Sequence, residues 1–231
     1  MRDVRQKASD LSCHAGVQTC RHASFPGGQA EDAVSLGRKV RVGVDFDSTV
    51  ARIDLPWLAR LNSLRDTSYR PEDWTDWNLS FLGEADRDVF LSLLTPDLYD
   101  TVEPYPGAAD AIRHLSLEAP IELVCVTTNP DTNSAAFTAA KTQWLRKHIP
   151  QLVDVLAIAR KKSGLGLDIL IDDAPHHCQT DDYIPVLVNR PWNQSVNAPF
   201  RFETWYEGEA LVRRLAEAIA AGTYEHSRQL S

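Results

Sequence analysis

The chain has 231 residues, of which 43% are hydrophobic and 24% charged, with a formal net charge of −8. That length accommodates one sizeable core, or one core carrying a small insertion. The acidic balance argues against non-specific binding to nucleic acid or to a membrane surface, and no apolar run is long enough to predict a transmembrane helix.

Residues 1–37 are polar, rich in Gly, Ser and Gln, and without sustained periodicity, so they read as a disordered tail with no apolar secretory signal. Cys13-His14 and Cys20-x-His22 fall in this tail, but their spacing fits no closed zinc pattern. With Cys125 and Cys178 the cysteines number four, and they form no disulfide framework; cytoplasm is the expected compartment.

From residue 39 onward strands and helices alternate. "KVRVGVDF" (39–46) is a short β-rich run, followed much later by "IELVCVTT" (121–128), "VDVLAIA" (153–159), "LDILIDD" (167–173) and "IPVLVNR" (184–190). Near-continuous apolar runs of this kind suit parallel strands covered on both faces. Helical spacing appears at 107–119 (Ala108, Ile112, Leu115), at 132–149 (Phe137, Ala140, Trp144, Leu145) and at 204–222. The pattern predicts a Rossmann-like open parallel α/β sheet with helices on both faces. Residues 55–101 break the alternation. They offer helices at 56–64 and 84–94 around an aromatic, turn-like stretch at 70–83, and no strand, so they predict a small helical cap inserted after the first strand. The expected organisation is therefore a tail (1–37), a core (38–54 and 102–223), an inserted cap (55–101) and a short C-terminal tail (224–231).

In open α/β sheets, ligands bind beyond the carboxyl ends of the strands. Here those ends carry Asp45 and Asp47, then Thr127-Thr128-Asn129, then Lys161-Lys162, then Asp172-Asp173. Each feature alone has an ordinary explanation: a helix cap, a turn, a solvated lysine pair. Together, and in an order that can converge, they point to phosphoryl chemistry. Clustered carboxylates suit Mg²⁺. One carboxylate can attack phosphorus and a second can move protons. Hydroxyls and an ammonium can hold the phosphoryl oxygens.

At these residues the chain resembles the haloacid-dehalogenase-like phosphohydrolases. Asp45-Phe46-Asp47-Ser48-Thr49 matches the first motif, Thr127 in "LVCVTTNP" the second, Lys162 the third and Asp172-Asp173 the fourth, over about residues 39–220. More narrowly it is similar to the 5'(3')-deoxyribonucleotidase (5'-nucleotidase, C-type) family. "VEPYPGAADAI" (102–112), "VLVNRPWNQ" (186–194) and "FETWYEGEALV" carry that likeness, and Asn129 interrupts the family's Thr-Ser-Pro. The resemblance implies that Asp45 is the nucleophile and that Asp47 is the general acid/base. Asp45, the Asp47 carbonyl, Asp173 and Asp172 would serve Mg²⁺, with Asp173 the more direct ligand. Thr127, Thr128 and Lys162 would bind phosphate.

Trp74 and Trp77 in the cap offer a base-stacking surface, although both suit plain packing of a small cap. His176-His177 read as a turn or helix start and stay outside the expected site. The substrate implied is a (deoxy)ribonucleoside monophosphate. Another small phosphomonoester such as a sugar phosphate, or a non-catalytic binding role, is the alternative. No nucleic-acid or membrane partner is expected, and a homodimer is left open.

Overall fold

In the computed structural model the described residues are 38–224; the expected tail, with its Cys13, His14, Cys20 and His22, and most of the C-terminal tail lie outside them. Six strands form one sheet: β1 (Val40–Asp45), β2 (Ile121–Thr127), β3 (Leu156–Ile158), β4 (Ile169–Asp172), β5 (Ile184–Val188) and β6 (Phe200–Phe202). Their order is β3-β2-β1-β4-β5-β6, and every neighbouring pair is parallel. The central strands are buried along almost their whole length, which explains their unbroken apolar runs. β1 leaves no room beside it: a side chain at Gly43 would meet a Leu167 methyl at 2.6 Å.

Among the described residues five α-helices accompany the sheet: α1 (Asp54–Arg65), α2 (Glu84–Ser92), α3 (Ala108–Leu115), α4 (Ser134–His148) and α5 (Trp205–Ala220). α3 and α5 pack on each other, and α5 also reaches β1. Thr204 starts α5 with a reciprocal cap, accepting from the Glu207 amide while Glu207 accepts from the Thr204 amide. Among the described residues none of these helices is long and apolar enough to cross a membrane.

The sequence pattern placed the first five strands and all five helices of the described residues, with ends shifted by a few residues. Among the strands the third is trimmed most: 153–159 shrinks to Leu156–Ile158, because Pro150–Leu152 takes a 3₁₀ turn first. β6 was not expected; three residues give too short a run to show a period.

Residues 54–100 contain α1, α2 and 3₁₀ turns at Pro71–Asp73 and Pro96–Asp100, and no strand. Aromatic faces hold this segment together. Trp57 stacks on Phe90 at 4.2 Å between ring centres, and Trp74 meets Trp57 at 6.0 Å and Phe90 at 5.5 Å. Such ring pairs add about 0.5–1.5 kcal/mol each beyond the area they bury.

Candidate active site

Parallel register brings the chemistry to one edge. Asp45 pairs with Val126, one residue short of Thr127, and Val44 pairs with Ile171, one short of Asp172. β1, β2 and β4 therefore end level, and their last side chains meet above the sheet. Phe46 between the two acids turns the other way. It is fully buried and packs edge-on against Tyr99 (5.8 Å) and Trp144 (5.0 Å). The strand's two-residue period thus sets Asp45 and Asp47 toward the site and their neighbour toward the core.

The chain then turns sharply. Ser48 adopts a left-handed conformation (φ 59°), and the Val50 and Ala51 amides both donate to the Phe46 carbonyl. Arg190 donates through Nε to the Ser48 carbonyl at 2.7 Å, and Trp205 donates through Nε1 to the Thr49 carbonyl at 3.2 Å. The Arg190 guanidinium lies 3.6 Å from the centre of the Tyr105 ring, and Tyr105 donates to Asp54 at 2.9 Å. The turn that carries Asp47 is braced from two directions by buried groups.

Every residue singled out for the site lines one cavity of about 450 Å³: Asp45, Asp47, Thr127, Thr128, Lys162, Asp172, Asp173, Trp74 and Trp77. Lys161, its sequence neighbour notwithstanding, is exposed, while Lys162 is 3% exposed. Lys162 is paired with Asp45 and donates to Asp172 Oδ2 at 2.6 Å. Burial disfavours its charge, but Asp172 and Asp45 outweigh that and hold its ammonium above the usual lysine range.

The carboxylates split. Burial pushes Asp45 up to about 6, helped by Asp172 and Asp47 and opposed by Lys162. Burial also raises Asp173 well above the ordinary carboxylate range, with Asp172 and Asp45 adding to it. Asp172 is buried as deeply, yet Lys162 and His177 pull it below that range. One oxygen from each of Asp45, Asp172 and Asp173 lies within 4.8 Å of the others. Three buried acids with their oxygens this close, two of them paired with Lys162, make an oxygen-only donor set, which fits a hard divalent cation. Asp173 is otherwise held by donors. Trp192 Nε1 donates to it at 2.9 Å and Thr49 Oγ1 at 3.2 Å, while Asn193 Nδ2 donates to its main-chain carbonyl at 2.8 Å.

The histidine pair forms the turn its sequence suggested, and that turn borders the cavity. His176 and His177 both line the cavity, and His177 Nδ1 lies 2.7 Å from Asp172 Oδ2. The short 3₁₀ turn Pro175–Cys178 folds them back over the acidic pair. Trp192 also lines the cavity and is buried against Trp74, 4.6 Å between ring centres.

Sequence reading missed two more residues. Lys141 of α4 is 1% exposed and donates to Asp47 Oδ2 at 2.7 Å, Thr127 Oγ1 at 2.7 Å and the Thr128 carbonyl at 3.0 Å. Tyr99, 4% exposed, donates to Asp47 Oδ1 at 2.7 Å. Burial and then Asp47 push the Tyr99 phenol well above its usual range, so it stays a donor. A signal for Lys141 existed: it falls four residues after Phe137 and four before Leu145, inside the apolar stripe of its helix. Tyr99 left none, being one aromatic among many.

A family model described as "5' nucleotidase, deoxy (Pyrimidine), cytosolic type C protein" matches residues 38–218. The 5'(3')-deoxyribonucleotidase of Clostridium acetobutylicum is 25% identical over 184 residues, covering 78% of this chain and 99% of that protein. The human cytosolic-type 5'(3')-deoxyribonucleotidase is 30% identical over 152 residues, 60% of this chain and 72% of that protein. Among solved structures, a haloacid-dehalogenase-like hydrolase from Streptococcus pneumoniae aligns over 75% of this chain and 98% of its own, with a TM-score of 0.54 at 11% identity. That likeness concerns the fold alone. With its ordered strand-end motifs and a match spanning most of its length, the chain belongs to the cytosolic type C 5'-nucleotidase family and is a phosphomonoester hydrolase of haloacid-dehalogenase-like fold.

Proposed function

We propose that the protein hydrolyses the phosphomonoester of a deoxyribonucleoside monophosphate, with Mg²⁺ as cofactor and Asp45 as nucleophile. The observation that carries this reading is the convergence of Asp45, Asp47, Thr127, Lys162 and Asp173 on one cavity that aromatic residues also line. The names of the relatives supply the substrate class, and the cavity is consistent with it: Trp57, Trp74, Trp77 and Leu79 share with the acids a space sized for a small ligand.

In the first step an Asp45 oxygen attacks phosphorus while protonated Asp47 gives its proton to the departing alkoxide. The nucleoside leaves and an aspartyl-phosphate remains. In the second step Asp47, now a carboxylate, takes a proton from water, whose oxygen attacks the same phosphorus. Asp45 is released as a carboxylate with inorganic phosphate. Lys162, Thr127 and Thr128 hold the phosphoryl oxygens through both steps. Asp45, Asp172 and Asp173, with the Asp47 carbonyl, would hold Mg²⁺, which supplies positive charge beside the phosphoryl group. Asp172 has a second task, since it orients Lys162. We read residues 55–101 as the cap that selects the leaving group.

The test is phosphate release from a panel of nucleoside monophosphates and sugar phosphates, with Mg²⁺ and with EDTA, for the wild type and Asp45→Asn. Metal-dependent release that favours deoxynucleotides, with turnover in Asp45→Asn reduced by about 10⁴-fold or more, is expected. Preference for sugar phosphates would remove the substrate assignment and keep the chemistry. Near-normal activity in Asp45→Asn would remove Asp45 from the nucleophile role.

A further inference from the structure

Two buried lysines divide the site between them. Lys162 serves Asp45 and Asp172, and Lys141 serves Asp47 and Thr127. Lys141 does not line the cavity, and neither does Tyr99. Both approach Asp47 from behind, one on each carboxylate oxygen. We propose that Lys141 and Tyr99 are positioning residues that clamp the Asp47 carboxylate in the orientation needed for proton transfer at the leaving oxygen. The inference rests on the acid/base role given to Asp47 above.

The geometry supports a positioning task over mere packing. Lys141 sits between aromatic rings, with Nζ 5.4 Å from the Phe46 ring centre and 5.7 Å from that of Tyr99. Taking an ammonium to a 1% exposed position is costly, and an apolar residue would fill α4's stripe without that cost. What the lysine gains is a complete set of bonds: its three protons go to Asp47, Thr127 and the Thr128 carbonyl. One ammonium therefore fixes the proton-transfer group relative to a phosphate-binding hydroxyl.

Tyr99 adds the second point from a different element. It lies in the 3₁₀ turn Pro96–Asp100, where the chain returns from the helical segment, and this turn packs on α4. The core thus holds one oxygen of Asp47 and the returning segment holds the other. Each carboxylate oxygen keeps a further lone-pair direction for the leaving oxygen or water, so the clamp orients Asp47 without blocking it.

The test separates proton transfer from everything else by the leaving group. p-Nitrophenolate departs without a proton; a nucleoside alkoxide does not. kcat/KM for p-nitrophenyl phosphate and for deoxyuridine 5'-monophosphate would be measured in the wild type, Tyr99→Phe, Lys141→Met and Asp47→Asn. This ratio reads the steps up to aspartyl-phosphate formation, so slow dephosphorylation does not mask the result. Tyr99→Phe and Lys141→Met are each expected to lose about 10–100-fold on the nucleotide, a part of the usual general-acid contribution. Loss on the activated ester should stay within about threefold, and Asp47→Asn should show the same asymmetry more strongly. Equal losses on both esters, or none, in Tyr99→Phe and Lys141→Met while Asp47→Asn keeps its asymmetry would overturn the clamp alone. No asymmetry in Asp47→Asn would overturn the acid/base reading beneath it. Should Lys141→Met not fold, Tyr99→Phe, which deletes one hydroxyl, decides the matter.

Discussion

The strand ends and the helical segment 54–100 line one cavity, yet they are built on opposite principles. At the strand ends the acidic pair is buried and held by two or more polar partners each: Asp172 by Lys162, His177 and the Ala174 amide, Asp173 by Trp192 and Thr49. Along the helical segment the wall is aromatic and aliphatic, its rings hold one another, and Trp77 and Leu91 remain substantially exposed. A polar network has few alternative arrangements, because each unmet group is costly. An aromatic wall can shift by fractions of a ring at little cost.

The largest break of this contrast comes from Lys162→Met. Removing the one cation shared by Asp45 and Asp172 leaves buried charge unpaired, at a cost of about 3–5 kcal/mol in stability. Turnover should fall by about 10²–10³-fold or more, since the phosphoryl oxygens lose their ammonium. Calorimetric melting with EDTA and with Mg²⁺ checks both parts. Mg²⁺ should raise the variant's melting temperature by more than it raises the wild type's, as it replaces part of the missing charge.

A second prediction follows from the raised acids. Asp45, at about 6, and Asp173, higher than an ordinary carboxylate, bind protons more tightly folded than unfolded. In the metal-free protein they favour the folded state at low pH, and that contribution is lost as pH rises through the folded value near 6 for Asp45. A bound cation reverses the preference, because it needs the ionised forms. Mg²⁺ stabilisation should therefore be larger at about pH 8 than at about pH 5, and binding near pH 5 should release protons. Titration calorimetry in two buffers of different ionisation heat measures that release; buffer-independent heats would contradict it.

How much of this was legible in the sequence follows the same divide. The strand ends were readable because parallel strands of similar length finish level. Residues that close an apolar run, such as Asp45, Thr127 and Asp172, therefore meet without any knowledge of side-chain packing. Family resemblance then supplied roles that spacing alone left open. Lys141 was not read, and His177 was read only as part of a turn, for different reasons. Lys141 arrives from a helix whose register on the sheet is set by Phe137, Trp144 and Leu145, so only the packed helix reveals what its ammonium meets. His177 depends on a tight 3₁₀ turn after Asp173 that a Pro suggests but does not define. In the helical segment, the helices were legible from periodicity, but the partition of tryptophans into packing and surface was not. Trp74 and Trp77 sit three residues apart with similar neighbours, yet one is 6% exposed and the other 43%.

That pair gives the sharpest and smallest-scale test of the contrast. Trp74 packs on Trp57, Phe90 and Trp192, and through Trp192 it backs the group that donates to Asp173. Trp74→Ala should therefore act as a core deletion, costing about 3–5 kcal/mol and lowering activity on every ester alike. Among the described residues Trp77 has one ring partner, His176 at 5.3 Å, reaching from segment 54–100 to the turn after the acidic pair. Trp77→Ala should leave melting nearly unchanged and raise KM for a nucleotide by about 5–100-fold, the worth of one lost base-stacking contact. Its KM for p-nitrophenyl phosphate should move less, since that ring is smaller and sits nearer the phosphorus. Equal shifts for both esters would mean that Trp77 closes the cavity over any substrate and does not read the base. A melting loss as large as that of Trp74→Ala would make it part of the segment's core despite its exposure.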